Sequence, residues 1–482
     1  MNNLLLQTDV YKMGHMEQYA PGCDKVYSYL IARSDRKFNE TVFFGLQYYI
    51  KRYLSQPITP AMGEEFLTYR KMILGGENSP EVESKIRALC KLGYLPLEIK
   101  AVEEGTVLPV RNVLMTITNT HPDFYWVVGF VESLLLKLWY TTTVATCSYQ
   151  YRRLVDRFFN DTDDESLNAL KDFQVHDFGY RGDSSEEGAA ISGVAHLLSF
   201  LGSDNVPALP CAIEYYHANT NEPILLSVPA SEHSVMCSFG RDQEIEAFSH
   251  MLKKYPVGIV SIVSDTFDVY RVLTEFAENL KEDILSRDGK VVFRPDSGNP
   301  EYIICGDPNA EKGSNEWKGA VRLLDEKFGS RLNSKGYKVL NPHVGLIYGD
   351  GMYLERYERT LERLKEMGYA ASNLVIGVGG ILRNHSRDTL GFAIKATYVE
   401  VNGEAREIEK DPITDQKKRS HKGLLSLRKI GDAYVTKDQC SPEEEVDSLL
   451  KTVFYNGKLV KETDLSSIRK WLKKQETIAA EM

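Results

Sequence analysis

The sequence lacks the paired cysteines that a disulfide framework or a structural zinc site requires. Its seven cysteines are scattered along the chain, their number is odd, and no two of them form a C-x-x-C pair. This usage is typical of proteins kept in a reducing compartment. We therefore expect no disulfide bonds and no cysteine-bound metal.

Long apolar runs and targeting signals are also missing. The first residues carry no basic segment followed by an apolar one, which disfavours a signal peptide. The longest apolar region, residues 126–140, is interrupted by Glu132 and Lys137, so we interpret it as a buried helix rather than a membrane span. We expect a soluble, cytoplasmic protein without a membrane partner.

Acidic side chains outnumber basic ones. The net charge is −10, whereas a nucleic-acid partner favours a basic surface or a long basic stripe. We therefore expect no nucleic-acid partner. Small phosphorylated molecules remain compatible with this balance, because they need only a local group of cations.

Several standard site motifs do not occur either. There is no G-x-x-x-x-G-K-[ST] phosphate loop, no G-x-S-x-G nucleophile turn and no histidine spacing typical of a metal site. Gly377 and Gly379 do not complete a dinucleotide fingerprint, because Leu382 occupies the position of its third glycine. A glycine pair after a strand can nevertheless present backbone N–H groups to a phosphate.

The length of the chain, 482 residues with 43% hydrophobic content, predicts two domains rather than one. Residues 1–150 mix short strands and helices, which predicts the N-terminal part of an α+β domain. Residues 151–390 are predicted to form a β/α barrel domain that carries the site. Residues 391–482, with two expected strands and a final helix, should return to the α+β domain.

In the central region, apolar runs of strand length alternate with helical patterns, which predicts parallel strands buried on both faces. One aspartate at the end of a strand is usually a helix cap. Its recurrence favours a ligand site at the carboxyl edge of a β/α barrel. The runs end at Asp177, Asp265, Asp296, Asp350 and the pair Gly379 and Gly380.

Residues 175–182 hold the densest set of candidate binding groups. An apolar strand precedes this stretch, and two serines followed by two acids at residues 184–187 predict the start of a helix after it. Phe178 offers an aromatic face, and Arg181 offers a guanidinium suited to phosphate. The alternative is a strand-to-helix loop whose aromatic residues belong to the core.

The remaining candidates are carboxylates, cations and one histidine. His233 stands beside Glu232, and from the residues alone a structural role is as consistent as a functional one. The carboxylates suit ribose hydroxyls or Mg²⁺, and the cations suit phosphates, so the set fits a phosphorylated sugar that meets a flat heterocycle. The cations are Arg181, Arg294, Arg387, Lys395, Lys410 and Lys418.

Several segments together resemble the type II nicotinate/nicotinamide phosphoribosyltransferase family. They are residues 8–12, 41–48, 176–182, 227–234, 263–265, 294–300, 348–351 and 410–412, and the likeness covers nearly the whole chain. The resemblance implies an α/β fold, an irregular β/α barrel with a mixed α+β domain built from the N- and C-terminal parts. It also implies a homodimer with shared active sites.

The reaction that the resemblance implies is transfer of the 5-phosphoribosyl group from phosphoribosyl pyrophosphate to nicotinamide. The products are nicotinamide mononucleotide and pyrophosphate, formed in NAD salvage with Mg²⁺. ATP is an optional activator in this interpretation, acting through phosphorylation of His233. The ligands of the Mg²⁺ ion are not assigned.

The resemblance further implies roles for individual residues. Phe178 and the partner subunit's Tyr11 enclose the pyridine ring, and Arg181 and Asp204 complete its site, with Asp204 facing the carboxamide. The catalytic positions are His233, Asp265 and Asp296. The phosphoribosyl and phosphate groups are held by Arg181, Arg294, Asp296, Gly349, Asp350, Gly379, Gly380, Arg387, Lys395, Lys410 and Lys418.

The sequence departs from the family at one place. The glycine run after residue 376 is shortened by Ile381, and Arg383 follows.

Three other functions stay open. A nicotinate phosphoribosyltransferase would share the fold and the donor, whereas a non-catalytic ligand-binding scaffold would share the fold alone. The intact arginines and aspartates disfavour the scaffold. A barrel lyase acting on phosphosugars is disfavoured because no clear Schiff-base lysine or metal cluster is present.

Overall fold

The computed structural model describes residues 3–414 and 419–480. The chain forms two compact units. The first comprises residues 1–146, 212–218 and 385–482, and the second comprises residues 147–211 and 219–384. Among the described residues no single helix is long and apolar enough to cross a membrane, although the bent pair Pro122–Leu135 and Leu138–Thr162 meets the criterion by length and composition.

The strands are numbered in chain order. They are β1 (Cys23–Ile31), β2 (Glu40–Val42), β3 (Leu97–Ala101), β4 (Val107–Pro109), β5 (Val113–Asn119), β6 (Val175–Asp177), β7 (Val257–Val263), β8 (Asp288–Arg294), β9 (Ser330–Leu332), β10 (Lys338–Leu340), β11 (Val344–Tyr348), β12 (Leu374–Val378), β13 (Ala393–Val401), β14 (Glu404–Glu407), β15 (Leu424–Ile430), β16 (Ala433–Cys440), β17 (Lys451–Tyr455) and β18 (Lys458–Leu459).

The helices are numbered in the same way. They are α1 (Leu46–Tyr49), α2 (Pro60–Leu74), α3 (Pro80–Leu92), α4 (Val127–Phe130), α5 (Glu132–Leu135), α6 (Leu138–Thr162), α7 (Glu186–His196), α8 (Ala208–Tyr216), α9 (His233–Cys237), α10 (Glu244–Lys254), α11 (Val269–Arg271), α12 (Ala277–Asn279), α13 (Lys281–Leu285), α14 (Pro300–Cys305), α15 (Asn315–Phe328), α16 (Leu354–Glu366), α17 (Pro442–Val446) and α18 (Leu465–Ala480). The 3₁₀ segments include Val10–Glu17, Tyr180–Gly182 and Gly380–Leu382.

The first unit is built around an antiparallel sheet that uses both ends of the chain. Its strand order is β14-β13-β1-β5-β3-β17-β18. The N-terminal strand β1 pairs with β13, and β3 pairs with β17, so the C-terminal strands complete the sheet that the N-terminal strands begin. Helix α2 shows the local signals of this unit. It begins after the Thr59 cap with Pro60 at its first position, and it ends at Gly75, whose φ is 72°.

The second unit contains a parallel sheet of five strands in the order β6-β12-β11-β8-β7. Single parallel bridges continue this arrangement beyond both edges, from Asp177 to Ser203 and from Ala230 to Ser261. The core lies between the sheet and its helices. Phe293 of β8 is buried there beside Phe248 of α10 and Phe328 of α15. The carboxyl ends of parallel strands meet at one edge, so the residues that follow them converge.

One predicted helix is wrong in its extent. The sequence predicts a buried helix over residues 126–140, but the structure divides this region into α4, α5 and the start of α6. The N–H groups of Lys137, Trp139 and Tyr140 donate to carbonyls three residues back rather than four. Such tighter 3₁₀ bonding interrupts an α-helix, and apolar periodicity does not reveal it.

A buried ion pair joins the end of β6 to the segment after β12. The Arg383 guanidinium donates to Asp177 at 2.6 Å and to Asp183 at 3.0 Å, and the Arg383 side chain is 1% exposed. Burial opposes ionisation of the Asp177 carboxyl, but Arg383 and the hydrogen bonds that this carboxylate accepts hold its pKa below the ordinary value. A carboxylate with a lowered pKa stabilises the fold at neutral pH, and this contribution is lost on acidification.

Replacing Arg383 with methionine should destabilise the protein by about 3 kcal/mol or more, because Asp177 is left buried without its counter-charge. Denaturant unfolding at pH 7 measures the loss. The matched control is Arg157→Met, since the exposed pair that Arg157 forms with Glu358 should contribute less than about 1 kcal/mol. The difference between the wild type and Arg383→Met should narrow as the pH falls below about 4, where the unfolded aspartate takes up a proton before the folded Asp177 does. Equal losses in both variants would contradict the assignment.

Candidate active site

The structure brings nine of the candidate residues together around one polar pocket of about 500 Å³ at the carboxyl edge of the parallel sheet. All of them belong to the second unit. Tyr180 and Gly182, which were not singled out as binding residues, line the same pocket. The nine are Phe178, Arg181, Asp204, Arg294, Asp296, Gly349, Asp350, Gly379 and Gly380.

The ring of Phe178 is held by a glycine of the neighbouring strand. The Phe178 N–H donates to the Val378 carbonyl at 2.9 Å, which fixes the backbone after β6 against β12. A Cβ atom on Gly377 would lie 2.0 Å from the Phe178 ring, so only glycine leaves room for the ring there. The Phe178 ring therefore reaches the pocket because the residue opposite it, Gly377, has no side chain.

Asp204 lies in an extended segment beside β6. Its N–H donates to the Asp177 carbonyl at 2.9 Å, and its carboxylate accepts a hydrogen bond from the Ser227 hydroxyl. The side chain is exposed in the pocket. A carboxylate at this place accepts hydrogen bonds from a ligand and repels an anionic one.

Three aspartates at the ends of strands form an acidic side of the site. The Asp265 carboxylate is 4% exposed; one oxygen faces His233 Nε2 at 3.0 Å and the other accepts the Asp296 N–H at 3.0 Å. Burial raises the pKa of the Asp296 carboxyl, and the charges of Asp265 and Asp350 add to the effect, whereas Arg294 opposes it. A cationic group that enters the pocket would relieve this repulsion.

Arg294 is positioned by two serines. Its N–H donates to Ser264 Oγ at 3.1 Å, and its Nη2 donates to the Ser231 carbonyl at 2.7 Å. Its Nε is buried and has no acceptor within residues 3–414 and 419–480. Arg294 also lines the pocket, so its positive charge acts on an anionic ligand there.

Glycines shape the opposite wall. A Cβ atom on Gly182 would lie 2.9 Å from Gly380 Cα, so the loops after β6 and β12 touch through these two residues. A Cβ atom on Gly349 would approach Asp296 Oδ1 to 2.5 Å. The Arg383 side chain, which follows the shortened glycine run, is buried in its ion pairs. Arg181 and the backbone N–H groups are therefore donors that this wall offers to an anion.

His233, the remaining candidate of the second unit, lies at the start of helix α9. Its side chain is 47% exposed, and its Nε2 is the atom that faces Asp265. A neutral imidazole that keeps its proton on this nitrogen carries its lone pair on Nδ1. The geometry is thus compatible with a nucleophilic histidine.

Four of the candidates that the structure describes belong to the first unit. Tyr11 is 61% exposed, and its ring is edge-on to His15 at a centroid distance of 5.3 Å. Arg387 is exposed and pairs with Asp388. Burial lowers the pKa of the Lys395 ammonium, and neighbouring cations that include Lys410 add to this shift. Lys418, the last candidate, lies outside the described residues.

Ser227 and Ser231 are contributors that the sequence interpretation missed. Both lie in residues 227–234, a segment noted for its likeness to the family, but only its histidine was selected. The available signal was the run of small hydroxyl residues beside a strand end.

No group of three or more His, Cys, Asp or Glu side chains suited to a metal occurs in the described part of the chain.

The chain is similar to known proteins along nearly its whole length. Residues 173–458 match the nicotinate phosphoribosyltransferase (NAPRTase) family, and residues 3–67 match the nicotinamide phosphoribosyltransferase N-terminal domain. The chain is 43% identical to a protein of Acinetobacter baylyi named nicotinamide phosphoribosyltransferase, with 98% of this chain and 97% of that protein covered. A protein of Xanthomonas campestris with the same name is 40% identical, covering 97% and 98%.

Two solved structures share the fold. Nicotinate-nucleotide pyrophosphorylase from Pyrococcus furiosus superposes with a TM-score of 0.58 at 16% identity, over 98% of this chain and 96% of that one. Human nicotinic acid phosphoribosyltransferase superposes with a TM-score of 0.57 at 16% identity, over 98% and 93%. At this identity the two structures support the fold alone. The sequence matches carry the assignment, and the chain belongs to the nicotinate phosphoribosyltransferase family.

Proposed function

We propose that this protein transfers the 5-phosphoribosyl group of phosphoribosyl pyrophosphate to nicotinamide, forming nicotinamide mononucleotide and pyrophosphate in NAD salvage. The observation that carries the proposal is a pocket that combines an aromatic ring, an exposed carboxylate, two arginines, two further aspartates and a glycine wall. The names of the relatives from Acinetobacter baylyi and Xanthomonas campestris support the same reaction.

The pyridine ring of nicotinamide stacks on Phe178, and Asp204 receives the carboxamide N–H₂. The Ser227 hydroxyl, which donates to Asp204, limits the rotation of this carboxylate. Because the acceptor is charged, the hydrogen bond from the amide is stronger than one between neutral groups. Selection of the amide over the acid then follows from charge.

The donor occupies the rest of the pocket. Arg181, Arg294 and the backbone of Gly379 and Gly380, which all line the pocket, hold its phosphate groups. Asp296, Asp350 and the close-packed Gly349 hold the ribose hydroxyls. The two substrates meet where Phe178 lies nearest to the aspartates.

The chemistry requires little proton transfer. The pyridine nitrogen is already nucleophilic, so the protein orients it towards C1 of the ribose and stabilises the charge that develops there. The acidic side formed by Asp265, Asp296 and Asp350 favours an oxocarbenium-like centre. The raised pKa of Asp296 reflects burial and then repulsion within this group, which a developing positive charge relieves.

Mg²⁺ fits this donor set as an ion that enters with the pyrophosphate. Magnesium is commonly held by one or two carboxylates together with substrate phosphates and water, which agrees with the lack of a preformed cluster of three ligands in the described residues. Asp296 and Asp350 are the carboxylates that face the pocket and would hold it. When bound, the ion neutralises charge on the departing pyrophosphate.

The wider architecture is part of the proposal. The single bridges from Asp177 to Ser203 and from Ala230 to Ser261 support closure of the parallel sheet into an irregular barrel. We propose two domains, the α+β domain from the two ends of the chain and the barrel, and a cytoplasmic homodimer. The partner subunit's Tyr11 covers the pyridine ring. Arg387, Lys395, Lys410 and Lys418 serve the phosphate side.

ATP activates the enzyme through phosphorylation of His233, with Asp265 orienting the imidazole.

A nicotinate phosphoribosyltransferase is the second candidate, because the human relative in fold bears that name. It is disfavoured by Asp204, whose carboxylate would face the carboxylate of nicotinate.

Nicotinamide and nicotinate should be assayed side by side with phosphoribosyl pyrophosphate and Mg²⁺. Two like charges about 4 Å apart cost roughly 4 kcal/mol at an effective dielectric near 20, so the preference for nicotinamide should approach about a thousandfold. Asp204→Ser should reduce the ratio of the two kcat/KM values at least about tenfold. The control Asp283→Ser, a surface change on α13, should leave the ratio unchanged. A wild type that uses both substrates equally would refute the proposed function.

His233→Ala should lose ATP hydrolysis and ATP stimulation but keep ATP-independent turnover, because the nitrogen of nicotinamide needs no deprotonation. ATP hydrolysis and nucleotide formation are measured in the same reaction mixture. His250→Ala, which removes an exposed histidine from α10, is the matched control and should retain both activities. Full ATP hydrolysis in His233→Ala would show that the phosphorylated residue lies elsewhere.

Shared active sites predict complementation between two inactive variants. Tyr11→Ala and Phe178→Ala each remove one side of the ring site, and a heterodimer of the two should contain one intact site. After subunit mixing, the heterodimeric fraction should recover activity towards about half of the wild-type value, the share expected when one of two sites is complete. Verified heterodimers that are no more active than either parent would exclude a contribution of Tyr11 across the dimer.

A further inference from the structure

The 3₁₀ segment that carries Tyr11 is fastened to the junction of helices α4 and α5 in the first unit. Side-chain hydrogen bonds from residues close to Tyr11 in the chain make this connection. They join Thr8 to the Phe130 carbonyl at 3.0 Å, Asp9 to the Ser133 hydroxyl, and Lys12 Nζ to Glu132 Oε2 at 2.7 Å. Tyr11 itself is exposed, so its neighbours fix the backbone while the ring stays accessible.

The ion pair between Lys12 and Glu132 extends to the Tyr11 ring. The Lys12 side chain is 4% exposed, and its Nζ lies over the ring at 5.2 Å from the centroid. A cation in this position is attracted to the face of an aromatic ring. The Glu132 carboxylate therefore holds an ammonium that in turn holds the ring.

Glu132 also supplies negative charge to a group of cations in the first unit. Burial lowers the pKa of the Lys395 ammonium, and Arg33, Lys410 and Lys12 add to this shift, whereas Glu132 opposes it. A buried ammonium that lies among other cations is costly without a counter-charge. Loss of the Glu132 carboxylate should therefore displace Lys12 from its place over the Tyr11 ring.

We propose that Glu132 is a positioning residue for the active site of the partner subunit, acting through Lys12 on the Tyr11 ring. The inference rests on the proposed function, in which Tyr11 covers the pyridine ring that the other subunit binds. Glu132 contacts neither substrate in this scheme. Its removal should weaken the binding of nicotinamide and leave the phosphate contacts in place.

Glu132→Gln removes the charge and keeps the shape of the side chain. Steady-state kinetics should show a KM for nicotinamide that rises at least about fivefold, because the ring cover is no longer fixed. The KM for phosphoribosyl pyrophosphate should not rise, since loss of a negative charge strengthens the field of the neighbouring cations. General damage to the fold would raise both constants. The control Glu83→Gln, which breaks an exposed ion pair with Arg87 in the same unit, should change neither.

A double-mutant cycle tests whether Glu132 acts through Lys12. Lys12→Met alone should raise the KM for nicotinamide as Glu132→Gln does, and it provides the same test from the other side of the pair. Adding Glu132→Gln to Lys12→Met should cause no further rise, because residues that act through one contact are not additive. Independent, multiplying effects would show that Glu132 does not act through this lysine.

Heterodimers test which active site Glu132 serves. In a heterodimer of Glu132→Gln with Phe178→Ala, the site that keeps Phe178 receives Tyr11 from the chain that keeps Glu132. The KM for nicotinamide in isolated heterodimers should therefore return to the wild-type value. A KM that stays as high as in the Glu132→Gln homodimer would place the effect within one chain and overturn the proposal.

An unchanged KM for nicotinamide in folded Glu132→Gln and Lys12→Met would also overturn it. The heterodimer of Tyr11→Ala with Phe178→Ala separates this failure from a failure of the proposed function. If that heterodimer is active while the Glu132 tests fail, the shared site stands and Glu132 is only structural. If it is inactive, the shared site is wrong, and the role of Glu132 is wrong with it.

Discussion

The pocket depends on one buried carboxylate. Asp177 accepts the Gly179 N–H at 2.8 Å, the Asn205 side-chain amide at 3.2 Å and the Arg383 guanidinium at 2.6 Å. These three donors belong to the loop after β6, to the neighbour of Asp204 and to the segment after the glycine pair. The loop that carries Phe178, the segment that carries Asp204 and the segment after the glycine pair are thus tied to the same two oxygen atoms.

This arrangement explains how an acidic protein builds a site for a strongly anionic donor. The Arg383 guanidinium is ion-paired with Asp177 inside the fold, whereas Arg181 and Arg294 line the pocket. Their field acts locally, and in the proposed reaction the aspartates of the same pocket separate the phosphate side from the sugar side. Electrostatic complementarity in the pocket is therefore independent of the net charge of −10.

Much of the site could be predicted from the sequence because strand ends recur in a parallel sheet. Nine candidates chosen at such ends or through the family resemblance do share one pocket, and helix α7 begins after Ser185 where its cap was expected. The pairing of Asp177 with Arg383 was not predictable, since 206 residues separate them. Arg383 appeared in the sequence only as an interruption of a glycine run. Long-range partners of this kind leave no local signal.

Lys290 shows the same limit from the other side. A lysine near the start of a strand normally extends into solvent, because its flexible stem carries the charge outwards. The stem of Lys290 lies against Gly345, one strand away and 55 positions later in the chain. Alternation along β8 then places Lys290 and Arg294 on one face, two register steps apart. The same face therefore places a cation at the polar pocket, at its carboxyl end, and a cation at an apolar cavity further back.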